Sequence, residues 1–303
     1  MTEPTSGICF FAYNNDKINY VHLAILAALY SKKSMPSKNV CMLTDHGTWA
    51  YAESSIDSKL LDDVIDDVVI TADEHKTNLR THYDSPWTKF HAEFKNSNKH
   101  KVFEYTPYDK TLLLDIDYIV QNNSLEYIFD SNSNVAMHQD AIGLRHTPPS
   151  LSEVYLEPQG IPMWWSTVVY FDQSELSKLF FDTWAHVADN YEYYKFIYNF
   201  PGTLFRTDYC VSIVVHLLNG MTSGNVIDEF VPSAMINMEQ KDEIHEIKDV
   251  NDWIFKVASV DTKEHWKHYP VRVKDTNVHC MNKQALLREY DNLLEKFGYG
   301  RTK

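Results

Sequence analysis

The chain contains no CxxC pair, no GxxxxGKS/T loop and no GxGxxG turn. Without the second motif, a P-loop nucleotide hydrolase is not expected; without the third, the dinucleotide fingerprint is missing. The four cysteines, Cys9, Cys41, Cys210 and Cys280, lie far apart. A reducing cytoplasm therefore fits better than a disulfide framework. Cys9, Cys41 and Cys210 sit inside apolar runs, the usual setting of a small buried thiol. No apolar stretch is long enough to span a bilayer. Met1 to Gly7 has no basic region leading into an apolar run, so no secretory signal is expected. Cations are scarce: 28 Lys and Arg stand against 42 Asp and Glu, a formal net charge of −14. That balance lowers the expectation of a nucleic-acid partner, although a local basic surface can coexist with an acidic total. There is no repeat, low-complexity segment or obvious linker.

What is present is a chain of 303 residues with an ordinary 44 % hydrophobic content, enough for one large domain or two small ones. Residues 8–13 read as a first strand closed by the turn-forming Asn14-Asn15-Asp16. Tyr20–Lys33 has apolar residues at helical spacing and lysines in its last turn. Val40–Asp45 and Val68–Ile70 read as strands, Thr88–Phe94 as helical and Thr111–Val120 as a strand. This alternation predicts βαβ units, a mostly parallel sheet and an α/β fold. Ligands of open sheets collect beyond the carboxyl ends of the strands, where Ala12–Asn15, Thr44-Asp45 and Asp115–Asp117 are expected. Further on, Thr167–Phe171 reads as a strand, Leu176–Phe200 and Asp208–Leu218 as helices, Trp253–Val260 and Tyr269–Val273 as strands, and Gln284–Phe297 as a last amphipathic helix. The segment from Gly143 to Pro162, with its prolines, is the candidate for an active-site flap.

The most informative stretch is Thr111-Leu112-Leu113-Leu114-Asp115-Ile116-Asp117-Tyr118. On a strand, Asp115 and Asp117 would share one face and Ile116 would turn into the core. Paired carboxylates at a strand end are costly without a positive partner. A divalent cation is the natural one, and such a cation also grips phosphate oxygens. Two carboxylates joined by an imidazole would suit Mn²⁺ better than an all-oxygen site.

Several motifs resemble the GT-A-fold glycosyltransferases, and in layout the glycogenin-like family 8 enzymes. Phe10-Phe11-Ala12-Tyr13-Asn14 followed by Tyr20 resembles the family's first strand and nucleotide-binding turn. Thr88-Lys89-Phe90-His91 resembles its Lys-bearing helix, and Asp115-Ile116-Asp117 its DxD. Ser166–Val169 is similar to its small-polar strand opening, Arg206–Tyr209 to its later acidic motif, and Val278–Lys283 to its C-terminal metal histidine and phosphate lysine. The usual glycine between that histidine and lysine is absent, as is the usual Gln after Asp208. A second resemblance is to glycosyltransferase-like proteins of tailed bacteriophages.

The resemblance implies a single GT-A catalytic domain over residues 1–283, with a donor half at 8–120 and an acceptor half at 121–283, then a C-terminal helix at 284–303. It implies a UDP-sugar donor, Mn²⁺ or Mg²⁺ on Asp115, Asp117 and His279, and transfer of a hexose or pentose with retention. Ala12, Tyr13, Asn14, Tyr20, Asp45, Arg80, Ile116 and Lys283 would contact the donor, and Asp208 and Lys89 would be catalytic. The phage likeness implies a host-cytoplasmic enzyme acting on DNA that carries 5-hydroxymethylcytosine; the other acceptor reading is a glycan, small-molecule or protein hydroxyl. Asp208 could equally cap the helix that starts beside it. Trp164-Trp165 offers an acceptor platform or core packing. The stretches Lys95–Lys101 and Lys263–Lys274 interleave cations with aromatics, as a single-stranded nucleic-acid site would. A haloacid-dehalogenase-like phosphatase, which also places Asp-x-Asp after an apolar strand, is the rival chemistry.

Overall fold

The computed structural model describes residues 5–71, 78–95, 98–145, 151–156, 160–200, 204–232, 234–262 and 265–300. The first half runs β1 (Ser6–Ala12), α1 (Tyr20–Ser34), β2 (Asn39–Thr44), α2 (His46–Ser55), α3 (Ser58–Val64), β3 (Asp67–Ile70), β4 (Asn78–Tyr83), β5 (Lys89–Phe94), α4 (Val102–Tyr105), β6 (Lys110–Leu114) and β7 (Tyr118–Ile119). The second runs β8 (Val135–His138), β9 (Asp140–Gly143), α5 (Leu151–Val154), β10 (Tyr155–Leu156), β11 (Ile161–Pro162), β12 (Trp165–Asp172), α6 (Glu175–Asp189), α7 (Tyr191–Tyr198) and α8 (Thr207–Leu218). It ends with β13 (Asp228–Glu229), β14 (Ala234–Met238), β15 (Glu243–Asp249), β16 (Asp252–Thr262), β17 (His265–Lys274), β18 (Val278–Cys280), α9 (Lys283–Arg288) and α10 (Tyr290–Lys296).

The expected α/β class is observed. A seven-stranded sheet has the order β13-β8-β12-β6-β1-β2-β3. It is mainly parallel: β3, β2, β1 and β6 run together, and β12 alone is reversed against β6 and β8. Strand alternation divides its side chains between two layers. Phe10, Val40 and Met42 pack with α1, whereas Cys9, Cys41, Leu43, Leu113 and Val169 pack with α6 and α8. Leu112, Leu113 and Leu114 are fully buried, each worth about 1.5–3 kcal/mol of transfer free energy. Helix α1 is capped by Asn19, whose side chain accepts from His22 N at 3.1 Å. A second sheet, β7-β18-β14-β9, and the antiparallel sheet β15-β16-β17 complete the core. All four cysteines are buried free thiols.

Several expected elements are corrected. Thr88–Phe94 is not helical: Lys89–Phe94 forms a strand, hairpin-paired with β4. Its Lys89, His91 and Glu93 face out while Phe90, Ala92 and Phe94 face in, a period of two that no helix satisfies. The expected strand Thr111–Val120 breaks at the acids: β6 ends at Leu114, and Tyr118 N donates to Asp115 O at 2.9 Å, closing a turn. Leu176–Phe200 divides into α6 and α7 at Asn190, and Gln284–Phe297 into α9 and α10 at Glu289. Within Gly143–Pro162, the described residues form α5 and the β10–β11 hairpin; residues 146–150 and 157–159 lie outside the description.

Gly7 in β1 is required by close approach. A Cβ there would lie 2.2 Å from the Tyr108 ring, which is held by a 2.8 Å hydrogen bond from its hydroxyl to Asp67. Gly7→Ala is expected to destabilise the protein by about 1–3 kcal/mol, seen as a lower denaturant midpoint with an unchanged m-value. An unchanged midpoint would show that the ring moves aside freely.

Candidate active site

The parallel strands end on one edge of the main sheet, and the reversed β12 begins there. Its register pairs Val168 with Leu114, and Asp115 N donates to Thr167 O at 2.8 Å. Trp165, Ser166 and Thr167 therefore meet the acidic turn. On the other side β18 runs antiparallel to β7, pairing His279 with Tyr118, and Cys280 N donates to Asp117 O at 2.8 Å. The N-terminus of α8 closes the third side: Ser166 N and Oγ donate to Asp208 Oδ1 at 3.1 and 2.9 Å.

One ligand atom from each of Asp115, Asp117 and His279 lies within 4.8 Å of the others. Asp117 and His279 are buried and Asp115 is half-buried. The acids converge through the turn rather than by sharing a strand face. His279 Nε2 stands 3.4 Å from Asp117 Oδ1, and its Nδ1 is 3.2 Å from Asn237 Oδ1 on β14. That partner fixes the ring so that Nε2 faces the acids, the arrangement metal-binding histidines use. Two carboxylates and an imidazole together could hold a divalent metal ion.

Each acid also has an ammonium partner. Lys283, the first residue of α9, pairs with Asp117 Oδ2. Lys99 Nζ lies 2.6 Å from Asp115 Oδ1 and also donates to Ser166 O. Burial alone would raise the Asp117 carboxyl; Lys283 and His279 outweigh it and hold Asp117 far below the usual carboxylate range. Burial opposes the charged forms of His279 and Lys283, yet Asp117 raises both. Asp208 is lowered against its burial by Arg206 at 3.2 Å and by Ser166.

A cavity of about 400 Å³ opens over this cluster, within the range of small-ligand sites. The expected residues Tyr13, Tyr20, Arg80, Ile116, Asp115, Asp117, Asp208, His279 and Lys283 all line it. Arg80 lies 3.9 Å over the Phe94 ring and donates to Phe205 O at 2.8 Å; burial lowers its pKa. Tyr20 is buried with its hydroxyl unpartnered.

Four expected residues do not line the cavity. Ala12 is wholly buried and its carbonyl accepts from Thr44 Oγ1 at 2.6 Å. Asn14 serves the start of α1, its side chain accepting from Val21 N at 3.1 Å. Asp45 caps α2, accepting from Thr48 N at 2.6 Å, and pairs with Lys95 at 3.5 Å. Lys89 is exposed on β5, so it is Lys99 that meets the acidic turn. Asp208 is not the helix cap: Arg206 holds that position and Asp208 sits in the first turn. Of the tryptophan pair, Trp164 packs with α6 and α8 while Trp165 lines the cavity.

Arg206 and Thr167, which belong to two of the motifs noted in the sequence, also line the cavity, as do Lys99, His82 and Gln240, which were not singled out for this site. Lys99 carried only the signal of a basic stretch, which reads as solvated; its burial at 5 % exposure comes from packing against β12. The hairpin β4–β5 presents Arg80 and His82 from one strand, a placement visible only once Lys89–Phe94 is recognised as its partner.

No protein-family description matches this chain, and no curated protein matches it. Among solved structures, an active-site mutant of LgtC aligns at 16 % identity over 77 % of this chain and 72 % of that one, with a TM-score of 0.44. The glycosyltransferase GlyE of Streptococcus pneumoniae aligns at 10 % identity over 77 % of this chain and 45 % of that one, at 0.41. Mouse xyloside xylosyltransferase 1 aligns at 15 % identity over 69 % and 82 %, at 0.39. With scores this low, a functional reading must rest on the site's own geometry.

Burial, with Lys283 and Arg80 nearby, pushes His82 from 6.5 down to about 4. A folded-state pKa below the unfolded one means the unfolded chain takes the proton first, so stability is lost as pH falls between those values. Unfolding free energy is expected to drop by about 2 kcal/mol from this source between pH 7 and pH 4. The protein with His82→Gln should show a correspondingly shallower pH dependence in denaturant titrations; identical slopes would refute the assignment.

Proposed function

We propose that this chain is a GT-A-type glycosyltransferase that moves a sugar from a UDP-sugar to an acceptor hydroxyl, with retention and with dependence on Mn²⁺ or Mg²⁺. The observation that carries the reading is the convergence of Asp115, Asp117 and His279, ringed by Lys99, Lys283 and Arg80, in one cavity at the strand ends. Asp115, Asp117 and His279 would hold the divalent ion. When bound, that ion supplies positive charge to the diphosphate as the glycosidic bond breaks.

The chain's own residues supply the rest. Lys283 and Lys99, now satisfied by the acids, become available to phosphate oxygens once the carboxylates act as metal ligands. Arg80 adds a third cation on the hairpin wall. Tyr13 and Tyr20 border the nucleobase. Asp208, held by Ser166 and Arg206, orients the sugar and stabilises positive charge at its anomeric carbon. The acceptor proton passes to the departing phosphate oxygen, so no separate base is needed. Lys89, exposed and off the cavity, has no part in this arrangement.

Nucleoside diphosphate release from UDP-glucose, UDP-galactose, UDP-arabinose and their N-acetyl relatives, measured with Mn²⁺, is expected for at least one donor and is expected to stop with EDTA. Asp115→Asn and Asp117→Asn should each lower turnover by about 100-fold or more. Unchanged turnover in either folded variant refutes the metal assignment, and phosphate release from a monophosphate without sugar transfer selects the phosphatase chemistry. Nucleoside mass spectrometry after incubation with 5-hydroxymethylcytosine DNA separates a DNA acceptor from a glycan, small-molecule or protein hydroxyl.

A further inference from the structure

A second cavity, of about 570 Å³, shares no lining residue with the first among those described. Its size is again that of a small-ligand site. Three parts of the chain build it. The β10–β11 hairpin supplies Tyr155, Ile161 and Pro162, and the C-terminal half of α8 supplies Ser212, Val215 and His216. The loop from Asn219 into β13 closes it. That loop is shaped by one side chain: Asn219 Nδ2 donates to Gly224 O at 3.0 Å, and its Oδ1 accepts from Val226 N at 3.0 Å. A Cβ on Gly224 would lie 2.8 Å from Asn219 Oδ1. The hairpin belongs to the segment expected to form an active-site flap; its Tyr155 is instead part of this cavity's lining.

The two cavities are neighbours. Trp164 lines the second and Trp165 the first. On α8, Asp208 lines the first and Ser212 the second. Four residues of helix separate those two, about 6 Å along the axis. Ser212 also ties the parts together, since its Oγ accepts from Trp164 N at 2.8 Å and donates to Asp208 O at 2.7 Å.

Their electrostatics are opposite. The first cavity is lined by Arg80, Lys95, Lys99, Arg206 and Lys283. Among the described residues, neither Lys nor Arg lines the second. Its one imidazole, His216, has a pKa lowered by burial and is uncharged at neutral pH. Asp228 and Glu229 bring negative charge, and the Glu229 carboxyl is raised by burial and by nearby Asp140. Phosphates and nucleic acids, which need cations, are therefore poor occupants. The two acids are consecutive on β13, so they point to opposite faces and do not form one acidic pocket for a cationic ligand.

What remains is neutral and polar beside aromatic surface. Tyr155 is 40 % exposed, and Trp164 forms part of the wall. The amides of Gln139 and Asn225 both donate and accept, as do the two groups of a vicinal diol. Flat rings with an apolar face and a polar edge suit the carbon-bound hydrogens and hydroxyls of a sugar ring.

We propose that the second cavity binds an uncharged saccharide, the part of the acceptor that lies beyond the hydroxyl being glycosylated. This rests on the glycosyltransferase reading and adds the acceptor's chemical class: a neutral glycan, not DNA.

The test measures binding of maltotriose, cellotriose, chitotriose and xylotriose by calorimetry, with a lysine-rich peptide and a single-stranded oligonucleotide as charged probes. The proteins are the parent, Tyr155→Ala and Asn225→Ala, each checked for folding by thermal melting and for UDP binding with Mn²⁺. The parent should bind at least one of the trisaccharides. Tyr155→Ala and Asn225→Ala should each weaken that binding about tenfold, with UDP affinity held within about twofold. In transfer assays the same variants should raise KM for the trisaccharide acceptor and leave kcat unchanged. A parent that binds none of the four, binds only a charged probe, or binds a trisaccharide equally well in both folded variants overturns the assignment while the glycosyltransferase reading stands on its own UDP binding. A trisaccharide lost in Tyr155→Ala from a protein that binds no UDP leaves the cavity a saccharide site and overturns the glycosyltransferase reading.

Discussion

Asp117 is a carboxylate removed from water, and the site is arranged around the cost of keeping it charged. An isolated buried carboxylate would give up its charge rather than its solvation. Here Lys283 and His279 stand on either side of it, and both come from the C-terminal part of the chain, with Lys283 separated from Asp117 by 166 positions. Neither cation would be tolerated in its own buried position without the acid. The cluster is thus mutually dependent, and removing one member strands the others. The same logic covers Lys99 and Asp115, although Asp115 keeps contact with solvent.

Such a cluster has a chemical use beyond stability. Ammonium groups satisfied by carboxylates are held at fixed positions without needing a ligand to order them. In the function proposed above, carboxylates that held a divalent ion would leave the ammonium groups free for the oxygens of a diphosphate. Ion and diphosphate would then balance each other's charge, a preorganised electrostatic arrangement suited to a leaving group that gains negative charge.

The reversal of β12 matters as much as the acids. A strictly parallel sheet would have sent Trp165, Ser166 and Thr167 to the opposite edge. Running antiparallel to β6, β12 starts where the other strands finish, and Ser166 can bind both Lys99 and Asp208. One strand thereby links the acidic turn, the buried lysine and the N-terminus of α8.

The sequence alone determined what depends on near neighbours. Alternating apolar runs specified β1, β2 and β12, the helical spacing of Val21, Leu23, Ala24 and Leu26 specified α1, and the leucine run ending in Asp115 and Asp117 marked the metal-binding candidates. Hydrogen-bonding periodicity and side-chain direction are local, so local patterns carry them. Tertiary structure alone decided that Asp115–Asp117 is a turn, that Lys99 rather than Lys89 reaches it, and that Asp45 and Asn14 serve helix starts instead of the cavity. Those outcomes depend on which strands pair and in which direction. A lysine's burial is set by the elements packed over it, and nothing in its neighbouring residues announces them.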